Sequence, residues 1–583
     1  MSDILHLEEH QSTGQLPRKV WTVTLTLAVI ALSGSYVISL AIYLTAVTII
    51  ANIDASVGPS TAYTWIASAY TVSYAVASVL FGSLADSFGR RWFSISAGVC
   101  VGLGSLIAAL AQNVGTVIAG MAIMGIGGAG GIQCISAVSE IIPTKSRGPI
   151  VGIIEIPFVV FTIAGSYFAH RMAVDTGPGW RSVYWIGVAS GFFFSILTLI
   201  FYKPLPPLAT LEQTTAQILS DFDYLGFVGL TAAVTLILMG IIWEPAHGST
   251  SPHFLAPLLI GFALLVATGV FETYYAKKPV LHPKLWRRFR TFSLQCIVIF
   301  VSGMLFYALQ ALYPQYMTYC FDGDNPIQVG RDGFPLGVST AGGVTAGLVL
   351  PYLSRYIGTN WVLVLGMVEC TVFIALLALV EPNGKPMAKG FASAATFGIG
   401  WTNLLSIPLI QLCSPDEWIG FATGLRTLMS LGGGSVSTSI YSTIFAGRSQ
   451  AFVPQMVSEA ATAAGLPKSS VAALLGVLTG TTPTVSPTSI PGVTPRILEI
   501  STLALRKAYL RAFKYVWYSS IPFGVIATAA AAWTKDLYPV MTMKVAQRLK
   551  DDKQQDAVSD DLEVDSQSEL PTIKPDAAKV DME

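Results

Sequence analysis

Charged residues are scarce in this sequence. Asp, Glu, Lys and Arg make up 12% of its 583 residues, about half the share of an ordinary soluble domain. Bases and acids balance, 34 against 34, for a formal net charge of +0, which gives no bulk attraction to nucleic acid; none is expected as a partner. Cysteine is rarer still. Cys100, Cys134, Cys296, Cys320, Cys370 and Cys413 fall mostly inside apolar segments and never as CxxC, so neither a zinc site nor a disulfide framework is indicated and no metal is expected. The absence of a G-x-x-x-x-G-K-[ST] loop disfavours a nucleotide-driven pump. With no nucleophile–base pair or metal-ligand set, no enzyme and no cofactor are expected. There is no N-x-[ST] sequon for N-glycosylation. The polar N-terminus, up to Arg18 and Lys19, is too weakly patterned for a signal peptide, and the first apolar segment is too long for one.

What the chain has in abundance is apolar length. Hydrophobic residues make up 52%, mean hydropathy is +0.60, and runs near the roughly 20 residues that cross a bilayer recur along most of the sequence. The pattern predicts an all-α polytopic membrane protein with fourteen spans. Six lie near 21–50, 63–82, 93–111, 115–142, 149–172 and 183–202. Two follow at about 224–243 and 254–275, and six more near 293–318, 333–356, 360–381, 388–412, 420–445 and 513–535.

Basic residues orient these spans. Arg18 and Lys19, Arg90 and Arg91, Lys145 and Arg147, and the run Lys277, Lys278, Lys284, Arg287, Arg288 and Arg290 share one side, which the positive-inside bias makes cytoplasmic. The loops at 51–62 and 111–114 lack Lys and Arg. An even span count then places both termini inside. The expected organisation is a cytoplasmic tail at 1–20, a six-helix bundle at 21–202, a linker with two extra helices and a basic loop at 203–292, a second six-helix bundle at 293–535, and a tail at 536–583. That last tail is rich in Asp, Glu, Lys and Gln and poor in aromatics, so disorder is expected. Segment 447–510 is expected outside, with amphipathic stretches around 455–478 and a Pro/Thr/Ser-rich piece at 481–495.

Between the second and third spans stands Gly82-Ser83-Leu84-Ala85-Asp86-Ser87-Phe88-Gly89-Arg90-Arg91. Its glycines permit close backbone approach and unusual dihedrals. Asp86 and Arg90 set opposite charges at a membrane edge, where a lone charge is costly. A weaker echo, Pro351-Tyr352-Leu353-Ser354-Arg355-Tyr356-Ile357-Gly358, follows the tenth span, with Arg355 where Asp86 stands. It falls at the equivalent point of a second bundle if the seventh and eighth spans are an insertion. The fourth span carries Gly125, Gly127, Gly128, Gly130 and Gly131. No strand precedes these glycines and no Lys follows, so they read as close helix packing and not as a phosphate loop.

The 82–91 pattern resembles the signature between the second and third helices of the major facilitator superfamily, with Ser87 where an arginine is common. Asn52-Ile53-Asp54-Ala55-Ser56-Val57-Gly58-Pro59-Ser60, Trp65-Ile66-Ala67-Ser68-Ala69-Tyr70, Ala111-Gln112-Asn113, Ser139-Glu140-Ile141-Ile142-Pro143 with Arg147, Gly179-Trp180-Arg181 and Phe222-Asp223-Tyr224-Leu225-Gly226 narrow the likeness. Through most of the membrane portion, fading after about residue 446, the chain is similar to the fungal trichothecene efflux pump family of the fourteen-span drug:proton antiporter group. The resemblance implies the major facilitator fold, two six-helix bundles plus two inserted helices, with a small-molecule site near the membrane midplane between the bundles. It implies proton-coupled efflux, by alternating access, of a toxic fungal metabolite: trichothecene-like, or another terpenoid or polyketide. The expected location is the plasma membrane, with protons and the lipid bilayer as partners. A siderophore or other metabolite importer working as a proton symporter is the alternative, and a vacuolar or vesicle membrane the alternative location. Two departures stand out: Met121 occupies a fourth-span position where many drug antiporters carry an arginine, and Glu155-Ile156-Pro157 with Gly165 matches the antiporter Gly/Pro pattern poorly.

In the superfamily the signature aspartate lies against the cytoplasmic start of a helix in the opposite bundle, which repeat counting makes the thirteenth span. The expected conformational latch comprises Gly82, Asp86, Gly89, Arg90, Arg91, Glu140 and Arg426. Asp86 would sit on partly positive helix amides with Arg426 as a side-chain partner, and Arg90 would pair with Glu140. Glu155 in the fifth span and Glu369 in the eleventh are the candidates for proton coupling, because a carboxylate in low dielectric changes proton affinity as water access alternates. The plain alternatives are a structural hydrogen bond or ion pair for Glu155 and a peripheral position for Glu369. A cavity for a bulky apolar metabolite calls for aromatics and a few polar groups. Candidates are Tyr36, Tyr70, Tyr74, Phe306, Tyr307, Gln310, Trp401 and Asn403, each of which ordinary helix packing would also explain.

Overall fold

A computed structural model describes residues 23–58, 60, 65–204, 217, 220, 223–248, 250–276, 279–322, 328, 331–479 and 490–542. The tail at 1–20, Arg18, Lys19, Lys277, Lys278, most of the Pro/Thr/Ser-rich piece and the chain beyond 542 lie outside the described residues, so the expectations for them do too. No strand occurs among the described residues. The long helices, in chain order, are α1 Val23–Val47, α2 Trp65–Phe88, α3 Arg90–Ala109, α4 Val114–Ile141, α5 Arg147–Asp175, α6 Arg181–Phe201, α7 Tyr224–His247, α8 Pro252–Tyr274, α9 Leu294–Met317, α10 Phe334–Ile357, α11 Thr359–Leu376, α12 Lys385–Cys413, α13 Ile419–Ala463 and α14 Pro495–Trp533.

By length and composition, 12 helices among the described residues could cross a membrane. The expected count of fourteen spans is not confirmed by this measure: long helices stand at all fourteen expected places, but α12 and α13, which cover 388–412 and 420–445, are not among the twelve. The reason lies in their packing. α13 carries Gly432-Gly433-Gly434, Ser435, Ser437, Thr438 and Ser439 and lies against α9 and α2, so it meets helix surfaces where small polar residues fit better than large apolar ones. α12 likewise buries Thr396, Gly398, Gly400, Thr402 and Ser406, and it begins with Lys385 and Lys389, which bond to Asp332.

Helices α1–α6 pack among themselves, α9–α14 do the same, and α7 pairs with α8. The two groups meet along two seams, α2 against α13 and α5 against α10. At both, backbones approach closely: a Cβ on Gly82, Gly424 or Gly347 would strike the facing backbone, and one on Gly148 would strike the Leu350 side chain. The glycines of α4 do the packing work expected of them. Gly120, Gly127 and Gly130 face α3, while Gly125, Gly128 and Gly131 leave room for Tyr70, Tyr74 and Ser39. The turns after α2 and α10 repeat one geometry, Gly89 at φ 89°, ψ 150° and Gly358 at φ 82°, ψ 156°, a left-handed region that suits glycine. The weak sequence echo therefore corresponds to one turn built twice.

The segment after α13's apolar part is more helical than the sequence reading implied. α13 runs on to Ala463, a short helix follows at Lys468–Leu478, and α14 already starts at Pro495. Val453 and Val457 of α13 pack with Leu505 and Ala508 of α14, and Ala461 with Leu474 and Ile497. This hairpin extends beyond the length a bilayer needs and holds a small apolar core of its own.

Candidate functional site

The functional geometry begins at the C-terminal end of α2. Asp86 accepts from two backbone amides at the start of α13, Gly420 N at 2.9 Å and Phe421 N at 2.8 Å. These are unpaired helix donors, and the carboxylate satisfies them with the charge sign the helix dipole favours. Arg90 Nη2 reaches Asp86 at 2.7 Å, and Arg90 Nε reaches Glu140 of α4 at 2.6 Å. Arg90 Nη1 also donates to Gln133 Oε1 at 3.3 Å, and Gln133 Nε2 to the Gly420 carbonyl at 3.4 Å. A buried guanidinium, only 3% exposed, is thus flanked by two carboxylates and tied to the opposite bundle. A Cβ on Gly420 would collide with Asp86 and Arg90. Nearby, Arg147 Nε donates to the Ser139 carbonyl at 2.8 Å, and its Nη2 lies 3.4 Å from Asp416 just ahead of α13. His282, in the linker after α8, stacks on Trp418 at 4.3 Å and meets Phe421 edge-on at 5.0 Å. Burial pushes its imidazole down to about 4, so it packs as a neutral ring at neutral pH.

Two residues expected in this cluster lie elsewhere. Arg91 Nη2 donates to the Leu199 carbonyl of α6 at 3.1 Å, because the next residue along a helix points about 100° away. Arg426 sits two turns into α13, too deep to meet Asp86. Its Nε donates to Ser406 Oγ at 2.9 Å, and its Nη2 to the Asn403 carbonyl at 2.7 Å and to Asn403 Oδ1.

Those contacts make Arg426 part of a second, deeper cluster. Tyr36 of α1 donates its hydroxyl to Glu155 Oε1 of α5 at 2.7 Å, and Glu155 is 8% exposed. Arg426 lies within electrostatic range of Glu155, Tyr36, Tyr74 and Tyr307. Tyr307 packs its ring against Gly434 and edge-on to Phe306 at 4.9 Å. Residues from α1, α2, α5, α9, α12 and α13, three helices from each bundle, thus converge on one region. Glu155 lies eight residues into α5, about 12 Å from its N-terminal end. Tyr70 belongs more to packing: it stacks on Tyr43 at 3.9 Å and donates to the Ser39 carbonyl at 2.8 Å. Gln310 is half-buried one turn beyond Tyr307.

Two further candidates are displaced from the cluster. Trp401 faces away from the bundle interface, donating Nε1 to the Val362 carbonyl of α11 at 2.9 Å. Glu369 lies on α11, which packs against α12, α14 and α10 but contributes to neither seam. It stands beside Gly398 of α12, half-buried. The sequence reading missed Gln133, Ser406 and the Arg147–Asp416 pair; the one signal for Gln133 was a lone amide inside a glycine-rich span.

Comparison with known proteins places this architecture. A family profile described as fungal trichothecene efflux pump matches residues 10–581. The trichothecene efflux pump TRI12 of Trichoderma arundinaceum is 27% identical over 511 residues, covering 85% of this chain and 83% of that protein. The MFS-type transporter prx5 of Penicillium rubens is 28% identical over 455 residues, covering 76% and 80%. Among solved structures, the proton:xylose symporter XylE superposes with a TM-score of 0.52 at 11% identity, over 88% of this chain and 98% of that one, a likeness of fold alone. With the major facilitator fold in place and a profile match along nearly its whole length, the chain belongs to the fungal trichothecene efflux pump family.

Proposed function

We propose that this protein exports an apolar fungal metabolite, a trichothecene-like sesquiterpenoid or another terpenoid or polyketide, across the plasma membrane in exchange for protons. Membership of a family of efflux pumps favours export over import. The observation that carries the coupling is the buried Tyr36–Glu155 pair on the first bundle, within electrostatic range of Arg426 on the second. An acid inside a membrane segment is costly and finds its use where water access changes. In this conformer the cytoplasmic ends of α2 and α13 are closed by Asp86. Opening them and closing the opposite side would present the Glu155 region to each compartment in turn. Tyr36, Tyr74, Phe306 and Tyr307 supply the aromatic wall for an apolar substrate, and Asn403 and Ser406 hold the Arg426 fork in place.

The experiment is reconstitution into vesicles with an imposed pH difference, following a labelled trichothecene. Wild type is expected to concentrate it against its gradient. Glu155→Gln keeps shape and an acceptor for Tyr36 but exchanges no proton. It is expected to bind and equilibrate substrate, with uphill transport reduced more than tenfold. Uphill movement equal to wild type would remove Glu155 from the coupling, and a protonophore without effect on wild type would remove the proton.

A further inference from the structure

We propose that the inserted pair α7–α8 travels with the second bundle during transport, and that Glu244 is the positioning residue that fastens it there. The proposal rests on the alternating-access reading above. Glu244 lies near the outer end of α7, inside an apolar helix, and is 6% exposed. It takes no part in the latch or the Glu155 cluster. Ser439 Oγ of α13 donates to it at 2.8 Å, and Thr443 Oγ1 lies 3.0 Å from each carboxylate oxygen. Ser439 and Thr443 are four residues apart, so they present both hydroxyls on one face of α13. A buried carboxylate demands such partners, and they are built into the opposing helix.

The adjacent residue looks to the other bundle. Trp243 meets Trp65, at the start of α2, edge-on with ring centroids 6.2 Å apart. One turn of α7 therefore bridges both bundles at the outer end of the α2–α13 seam. The two attachments differ in kind. Hydrogen bonds to a carboxylate are directional and charge-assisted, and breaking them would strand a buried acid. An edge-on aromatic contact is weaker and tolerates sliding. When the bundles rock, the Trp65–Trp243 contact gives way and the Glu244 contacts hold. α7 and α8 then act as a movable wall beside the outer mouth, kept in register with α13.

The test uses the full chain in lipid nanodiscs, with spin-label pairs at exposed positions outside both clusters: Thr250–Gln450 from the α7–α8 turn to α13, Thr250–Gln112 from that turn to the first bundle, and Trp92–Tyr356 across the cytoplasmic face. Asp86→Asn serves to shift the balance between states. As Trp92–Tyr356 lengthens, Thr250–Gln450 is expected to hold its distance while Thr250–Gln112 changes. A Thr250–Gln450 distance that moves with the state overturns the tether while leaving alternating access intact. A Trp92–Tyr356 distance that never changes defeats alternating access and the tether with it. Glu244→Gln is expected to broaden the Thr250–Gln450 distribution and lower the maximal transport rate about tenfold at unchanged KM. Ser439→Ala with Thr443→Val approaches the same site from α13 and is expected to reproduce that loss. Combining all three substitutions should add nothing, as for residues acting as one unit. Fully additive losses, or an unaltered distance distribution, contradict the assignment.

Discussion

A Cβ at Gly82 would meet the carbonyl oxygen of Gly420 on the opposite bundle, and one at Gly420 would meet Asp86 and Arg90. Backbone cannot retreat from such contacts as a flexible side chain can, so Gly82→Ala is expected to hold the cytoplasmic ends of α2 and α13 apart. The variant should insert and fold, because each bundle's own packing is untouched, but it should transport at least tenfold more slowly. Label distances across the cytoplasmic face check the cause: wild-type distances together with slow transport would point elsewhere. Asp332 offers a pH test outside the membrane segments. It accepts from Lys385 at 2.5 Å and from Lys389, both in the first turn or so of α12. Burial pushes its carboxyl up, but the two ammonium groups outweigh burial and hold it below the usual carboxylate range. A carboxyl lowered by folding contributes stability that is complete above its unfolded value, about 3.9, and lost as pH falls through the folded value. Asp332→Asn should therefore lower the unfolding midpoint at pH 7 and flatten the loss seen below about pH 4. A variant that keeps the full wild-type acid dependence would show that this pair is irrelevant to it.

At the scale of elements, the face that holds the Asp86 cluster carries a strap the sequence did not announce. Asp536, just past α14, accepts from Thr359 N at 2.8 Å and Tyr538 N at 3.0 Å, which caps α11. The chain then crosses to the first bundle. Lys145 N and Thr144 Oγ1 donate to the Thr542 carbonyl at 3.0 and 2.7 Å, and Thr542 N donates to Thr144 Oγ1 at 2.8 Å. Thr144→Val removes the hydroxyl's part of this, at about 0.5–1.5 kcal/mol per hydrogen bond. With two bonds lost, one donated and one accepted, it should shift the balance toward the cytoplasm-open state by roughly five- to a hundredfold, read as a longer Trp92–Tyr356 distance; a shorter one would refute the strap. Why this was hidden while the Asp86–Arg90 cluster was legible is a matter of locality. Asp86, Gly89 and Arg90 are close in sequence, and their charges at a membrane edge announce a partner before any partner is seen. Glu155 was legible for the same reason, as a charge with no business in lipid. Arg426 was equally visible, yet its partners depend on how far α13 rotates and where α12 lies, which no local pattern records. The places of Trp401 and Glu369, away from the seams, were not legible, because an aromatic or an acid in an apolar helix looks alike whether it faces the bundle interface or a neighbour in its own bundle. α12 and α13 strained the span count because helices that bury polar faces against other helices need less apolar surface of their own.

At the scale of the molecule, the two seams between the bundles are built differently. α5 and α10 meet through small residues, Gly148 and Gly152 against Gly347, with Thr162 and Thr340 sharing a hydrogen bond at 3.0 Å farther along. α2 and α13 meet through close backbone too, but add the charged set of Asp86, Arg90, Glu140 and the α13 amides. A charge contact can be broken and remade at the pace of a cycle, whereas interlocked small residues give a surface on which to pivot. Asp86→Asn tests the division. The amide keeps one acceptor oxygen but turns an NH2 toward a backbone N–H, and it leaves Glu140 as the one carboxylate paired with Arg90. Loss of a charge at a helix N-terminus is worth about 0.3–1 kcal/mol, and up to about 2 when partly buried. The upper figure moves a two-state balance by around thirtyfold. The variant should insert normally, populate the cytoplasm-open state and export slowly. Gly347→Val alters no charge but forces a branched side chain into the Gly148 and Gly152 backbone, so it should lower expression and thermal stability before it changes any balance of states. If the two variants show the same signature, both stable and both shifted or both unstable, then latch and pivot are not separate devices and the seams do one job between them.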